Sequence, residues 1–134
     1  MIEVIWDKKY EVGHKRIDFE HRIFVDLIRS IAEADERGDS KERISRLLTE
    51  LKKYAEFHFC SEENVMIDVA FPDLEMHKQE HVRLLAQLSD KVHGFTNDDN
   101  KLDDVVEFIF SWFALHTTQK DKEIARYIDQ KGVK

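Results

Sequence analysis

Turn-forming residues are scarce here: the 134-residue chain has one proline and four glycines. An all-β sandwich or barrel needs a breaker roughly every 8–12 residues, so the scarcity argues against that class. The single cysteine rules out an intrachain disulfide and the cysteine-rich zinc modules, and fits a reducing compartment. Long apolar runs are missing too. The opening Met1-Ile2-Glu3-Val4-Ile5-Trp6-Asp7-Lys8-Lys9 has no basic n-region, so neither a signal peptide nor a membrane span is expected, and the expected location is cytoplasmic. Positive charge is in deficit: 21 Lys and Arg against 28 Asp and Glu give a net charge of −7. With no basic block, nucleic acid is a poor partner. Apolar side chains are not lacking. At 42% hydrophobic, with nine phenylalanines spread along the chain, the sequence can bury a core and is not disordered.

Those apolar residues recur at the helical period in four stretches. The first, about 18–36, has the inner stripe Ile17, His21, Phe24, Val25, Ile28, Ile31 and Ala32, and ends at Gly38, suited to the left-handed position past a helix end. The second starts from Ser40 as N-cap and runs over about 40–68, with Ile44, Leu47, Leu48, Leu51, Ala55, His58, Phe59, Glu62, Val65 and Met66 inward. Pro72 sits near the first turn of the third, about 72–93, whose stripe is Leu74, His77, His81, Leu84, Leu85, Leu88 and Val92. A loop from Gly94 to Asn100 leads to the fourth, about 101–129, with Leu102, Val105, Val106, Ile109, Trp112, Phe113, His116, Ile124 and Ile128. Short connectors make successive helices antiparallel. The expected fold is all-α: a single domain over 1–134, an up-down-up-down four-helix bundle with an irregular N-terminal arm, 1–17, whose Trp6 and Tyr10 can pack on it.

Five of the seven histidines fall inside these apolar stripes: His21, His58, His77, His81 and His116. Glu62 does too. Burying a carboxylate or an unpaired imidazole costs on the order of a few kcal/mol, and the stripes hold few other polar groups to offset it. A lone core histidine bonded to a carbonyl would be unremarkable; five on four helices need another explanation. His58 and Glu62 are spaced i,i+4, as are His77 and His81, so each pair projects from one turn. In an antiparallel bundle all these positions, with His21 and His116, can share one layer, where a cation satisfies them together. Asp121 lies five residues past His116, about 140° away on an ideal helix, and a local i→i+5 bulge would swing it inward. Imidazole and carboxylate without thiolate suit iron, zinc, copper or manganese. Seven donors exceed one tetrahedral zinc, and two metals sharing carboxylates fit the count better.

The motifs Ile17-Asp18-Phe19-Glu20-His21, His58-Phe59-Cys60-Ser61-Glu62-Glu63-Asn64-Val65-Met66, His77-Lys78-Gln79-Glu80-His81 and Trp112-Phe113-Ala114-Leu115-His116, with Asp121 following, resemble the hemerythrin-like family, of the bacteriohemerythrin type, over nearly the whole length. The resemblance implies a non-haem di-iron centre (Fe2+/Fe3+) with a solvent-derived oxo or hydroxo bridge. His77, His81 and His116 would hold one iron, His21 and His58 the other, with Glu62 and Asp121 bridging. The iron with fewer imidazoles keeps an open position for O2 or small anions. Two carboxylates, against about four in the carboxylate-rich di-iron bundles, favour binding O2 over cleaving it, so a binding protein rather than an enzyme is implied. Phe59, Met66, Phe24 and Phe113 are candidates for a dry wall around O2 and equally suit an ordinary core. Phe113 stands where relatives usually carry Leu or Ile, and a ring there could narrow the path to the open iron.

Asp18 either hydrogen-bonds a ligand imidazole or caps the first helix. Glu20, where Gln is more usual, is expected on a solvated face. His14 and His93 read as surface residues, and Cys60 as neither ligand nor nucleophile. The expected function is reversible O2 binding, for storage, delivery or sensing. In the family the same domain is also fused to signalling modules, so a covalently linked signalling domain is the expected partner if the chain is a fragment. The competing readings are a di-iron oxidase or peroxidase, and a bundle holding structural zinc or copper.

Overall fold

Four amphipathic rods close into a ring, each packing on its sequence neighbour and the last on the first. The computed structural model describes residues 3–132; Met1 and Ile2 of the expected arm, and residues 133–134, lie outside the described residues. The rods are α1 (Lys15–Glu36), α2 (Lys41–Asp68), α3 (Leu74–Thr96), and a fourth made of α4 (Leu102–His116), a π-helical turn (Thr117–Asp121) and α5 (Lys122–Lys131). The architecture is the all-α four-helix bundle that the periodicity predicts.

Local chemistry sets the ends. Ser40 accepts a hydrogen bond from the Arg43 N–H at 3.1 Å, capping α2, and Gly38 supplies the positive φ of 77° that ends the preceding turn. Helix α1 starts three residues earlier than the sequence suggests, because His14 Nδ1 accepts from the Ile17 N–H at 3.3 Å and serves as its cap. Pro72 falls in the turn before α3 rather than in its first turn. Gly94 lies inside the last turn of α3, not at the head of a loop. Its carbonyl accepts from the N–H groups of Asp99 (2.7 Å) and Asn100 (3.1 Å), so the chain folds back over the glycine instead of breaking there.

The arm is anchored at two points. Tyr10 is buried with its ring 5.6 Å from Phe113, and Trp6 lies 6.4 Å from the same ring. Asp18 neither bonds an imidazole nor caps α1. Its carboxylate accepts from the N–H groups of Val12 (2.7 Å) and Gly13 (3.2 Å), tying the arm to the helix.

The interior is two apolar clusters with a polar layer between them. The larger holds Phe24, Ile28, Leu48, Leu51, Leu88, Val106 and Ile109; the smaller holds Ile17, Val65, Met66, Phe71, Ile124 and Ile128. On α1, His21 lies between Ile17 of one and Phe24 of the other; on the fourth rod, His116 and Asp121 lie between Phe113 and Ile124. Each buried Leu, Ile or Phe contributes about 1.5–3 kcal/mol, so both clusters hold the layer from either side. No described helix is long and apolar enough to cross a membrane.

Candidate metal centre

Every imidazole and carboxylate named from the stripes is buried: His21, His58, His77, His81, His116, Glu62 and Asp121. The π-helical turn brings Asp121 inward. Backbone angles stay right-handed helical at both of its ends, with φ −60° and ψ −45° at Thr117 and φ −63° and ψ −28° at Lys122, so the rod widens by a residue without breaking. The wide turn closes most of the offset of about 140° that an ideal helix leaves between His116 and Asp121.

The two carboxylates each present one oxygen to either half of the layer. Glu62 Oε1 lies 3.1 Å from His81 Nε2 and 3.8 Å from His116 Nε2, while its Oε2 lies 3.4 Å from His58 Nε2 and 4.0 Å from His21 Nε2. Asp121 does the same, with Oδ1 3.1 Å from His116 Nε2 and Oδ2 3.0 Å from His21 Nε2. Two groups result, each compact enough to surround a cation: His21, His58, Glu62 and Asp121; and Glu62, His81 and His116. His77 joins neither closely, its ring centroid being 6.1 Å from His81 and 6.5 Å from His116.

This donor set fits cations better than it fits itself. Both ring nitrogens of His77 and of His116, Glu62 Oε2 and both Asp121 oxygens are buried without a hydrogen bond. His21 Nε2 and His58 Nε2 face each other at 3.0 Å, a contact that needs a proton on one of them or metal ions between the layer's donors. Such orphaned polar atoms are donors that metal ions would satisfy.

Two imidazoles are held from behind. His58 Nδ1 donates to Glu20 Oε1 at 2.8 Å, and His81 Nδ1 donates to Glu63 Oε2 at 2.8 Å, which leaves each Nε2 lone pair directed at the layer. Glu20 is therefore buried, contrary to the solvated placement its neighbours suggest. It also accepts from Ser61 Oγ at 2.7 Å and from Arg16 Nε at 3.4 Å. Glu63 was not legible at all, because its partner lies on another helix. Of the four aromatic and thioether candidates, Phe59 stacks on His81 with centroids 3.9 Å apart and Phe113 meets His21 edge-on at 5.2 Å. Phe24 stands behind Phe113, stacked at 5.6 Å, and Met66 belongs to the smaller apolar cluster. His14, His93 and Cys60 lie off the layer, with His93 and Cys60 exposed.

The family model described as the hemerythrin HHE cation binding domain matches residues 12–128. A bacteriohemerythrin of Clostridium acetobutylicum is 29% identical over 134 residues, covering 93% of this chain and 98% of that protein. A bacteriohemerythrin of Methylococcus capsulatus is 30% identical over 108 residues, covering 78% of this chain and 80% of its own. A crystal structure of hemerythrin carrying a single leucine substitution superimposes with a TM-score of 0.83 at 23% identity, covering 95% of this chain and 98% of that one.

Without metal, protons must balance the buried carboxylates. Burial pushes the His58 imidazolium down, but the hydrogen bond to Glu20 and the nearby Glu62 carboxylate outweigh it and raise its pKa from 6.5 to about 9. Burial likewise works against charge on His116, yet Asp121 and Glu62 raise it to about 10. His77 shifts the other way, lowered by burial. Burial raises Glu62 and Asp121, but the surrounding imidazoles win and hold both below their ordinary values. A raised histidine contributes stability that is complete below its unfolded value near 6.5 and lost as pH passes its folded value. The metal-free chain should therefore lose thermal stability between pH 6.5 and 10, whereas a metal-loaded chain, with imidazoles neutral, should not. Melting curves of both forms across that range check this; a flat or rising metal-free curve would contradict it.

Proposed function

The chain belongs to the hemerythrin family, whose members are O2-binding proteins and not enzymes, and from that premise we propose that it binds O2 reversibly at a centre of two irons. His77, His81 and His116 would hold one iron, His21 and His58 the other, and Glu62 and Asp121 would span the pair. The observation that carries this reading is the split of the two carboxylates, each with one oxygen toward His116 and the other toward His21. A single structural ion would need no such division.

The irons would supply the electrons and the ligand position for O2. The chain's own residues do the rest. Glu20 and Glu63 keep the Nδ1 protons of His58 and His81 away from the layer and fix both rings. Phe113 and Phe59 line the layer with carbon, which excludes water and withholds protons that would drive bound O2 onward. An imidazole count of three against two leaves the His21–His58 side short of a donor, so small ligands enter beside Phe113 in this reading.

Storage or delivery of O2 in the cytoplasm is the use we favour. A sensing role has one structural support: Asp121 sits at the junction with α5, so any change in the centre bears directly on that helix.

Three measurements test the proposal. Reduction without air, followed by exposure to air, should give a reversible oxy absorption band at about two irons per chain. One zinc per chain, or direct passage to the ferric form with product turnover, would sink it. His77→Ala should lower iron content and melting temperature together, because ligand energy is folding energy here; leaving both unchanged would remove His77 from the centre. Phe113→Leu should speed azide binding to the ferric form and autoxidation several-fold, at a stability cost of about 1–2 kcal/mol. Unchanged stopped-flow rates would mean that this ring does not limit access.

A further inference from the structure

A buried centre has to be filled, and the layer is not equally covered. His116 (7% exposed) and His77 (4%) are the least covered of its five imidazoles. Different openings lead to them. His116 is approached along a groove between α3 and α4 that includes Leu84, Phe108, Trp112 and Leu115. His77 is approached from an adjoining cleft of about 120 Å³, where the first turns of α3 and α5 meet, lined by Asp73, Met76 and Glu123 and sharing Glu80 and Lys120 with the groove.

The second cleft gathers three carboxylates over an imidazole whose two nitrogens are both buried and unpartnered. Glu123 Oε2 stands 4.0 Å from His77 Nε2. Glu80 is already engaged by Arg83, which donates to both of its oxygens, and Lys120 stands on the same wall. Asp73 and Glu123 are the carboxylates left over. Asp73 opens α3 without capping it, and among the described residues Glu123 has no ion pair besides its approach to His77. His77 itself stands between this cleft and the rest of the layer, at 6.1 Å and 6.5 Å from the rings of His81 and His116.

We propose that the Asp73–Glu123 cleft is the port through which ferrous ion reaches the buried layer, with His77 as the first resident ligand it meets. The inference rests on the di-iron reading given above. Stripping water from a divalent cation is very costly unless each lost water is replaced by another donor. The groove beside His116 carries Gln87, Ser111 and Gln119 among its apolar side chains, but the one carboxylate on its wall, Glu80, is held by Arg83, with Lys120 beside it. The cleft offers carboxylate oxygens at the mouth and then the His77 nitrogen, so exchange proceeds donor for donor. Its volume admits an ion with a few waters, since one water needs only about 10–15 Å³ of such space. Dioxygen carries no charge and gains nothing from these carboxylates, so the port serves loading and not O2 exchange.

The test is uptake of Fe2+ alone by the metal-free chain without air, followed as the iron still open to a chelator. The double variant Asp73→Asn, Glu123→Gln should load about tenfold more slowly, within the range of electrostatic steering, and the difference should shrink as salt rises. It should finish with the same iron content and the same oxy band as the unaltered chain. Glu123→Lys should load more slowly still. An unchanged rate in both variants overturns the port. A lowered final iron content overturns it too, since Glu123 would then be a resident ligand. The di-iron reading is scored separately, by the final iron content of the unaltered chain: if that chain never reaches about two irons, the reading fails and the port with it.

Discussion

Two carboxylates lie fully buried in the middle of this bundle, and no lysine or arginine among the described residues pairs with them. The rest of the structure is arranged around that constraint. An uncompensated buried carboxylate costs several kcal/mol, a large share of a small domain's net stability. Among the described residues the ion-pair partners of Glu62 and Asp121 are all imidazoles, and an imidazole can answer negative charge in two ways. It can carry a proton, or it can stay neutral and share a metal ion. In the proposed reading the layer would link folding to occupancy: protons would stand in for metal, and metal would displace them on arrival. The apolar clusters on either side are what make the choice unavoidable, since they keep out the water that would otherwise solvate the carboxylates.

The position of the layer was legible because helical spacing is. His58 with Glu62, and His77 with His81, are one turn apart, so any inward-facing helix brings each pair to the same side. Asp121 was the harder case. Five residues do not fit an α-turn, and only the π-helical turn over Thr117–Asp121 lets His116 and Asp121 face the same interior. Spacing alone left Asp121 the weakest of the seven candidates, and the family resemblance was what named it.

What stayed hidden has a common cause. Glu63 is part-exposed on α2 and finds His81 on α3; Glu20 on α1 finds His58 and Ser61 on α2. Such contacts depend on how far one helix is rotated against its neighbour, and residue type along a single helix does not encode that rotation. Asp18 shows the same limit at shorter range. Its partners, the N–H groups of Val12 and Gly13, come from backbone in an irregular arm with no period to read. Helix ends erred for a related reason: Gly94 looks like a breaker in sequence, yet the returning chain at Asp99 and Asn100 satisfies its carbonyl and keeps the turn helical.

A centre of this kind has to admit a hydrated cation once and a diatomic gas many times, while excluding water throughout. One opening cannot serve all three demands, because the donors that ease a cation inward also invite water and supply protons. The proposed port and the proposed O2 path divide them in space. Phe113 and Phe59 set carbon against His21 and His81. Carboxylates collect instead beside His77, the imidazole that stands apart from both compact donor groups. The cleft carboxylates thus gather beside His77, one of the three imidazoles that would complete an iron, while on the two-imidazole side Phe113 covers His21 and the buried Glu20 turns its charge to His58 Nδ1 and Ser61. In the proposed reading, the open carboxylates would meet the metal at His77, and the ring of Phe113 would meet the gas at His21.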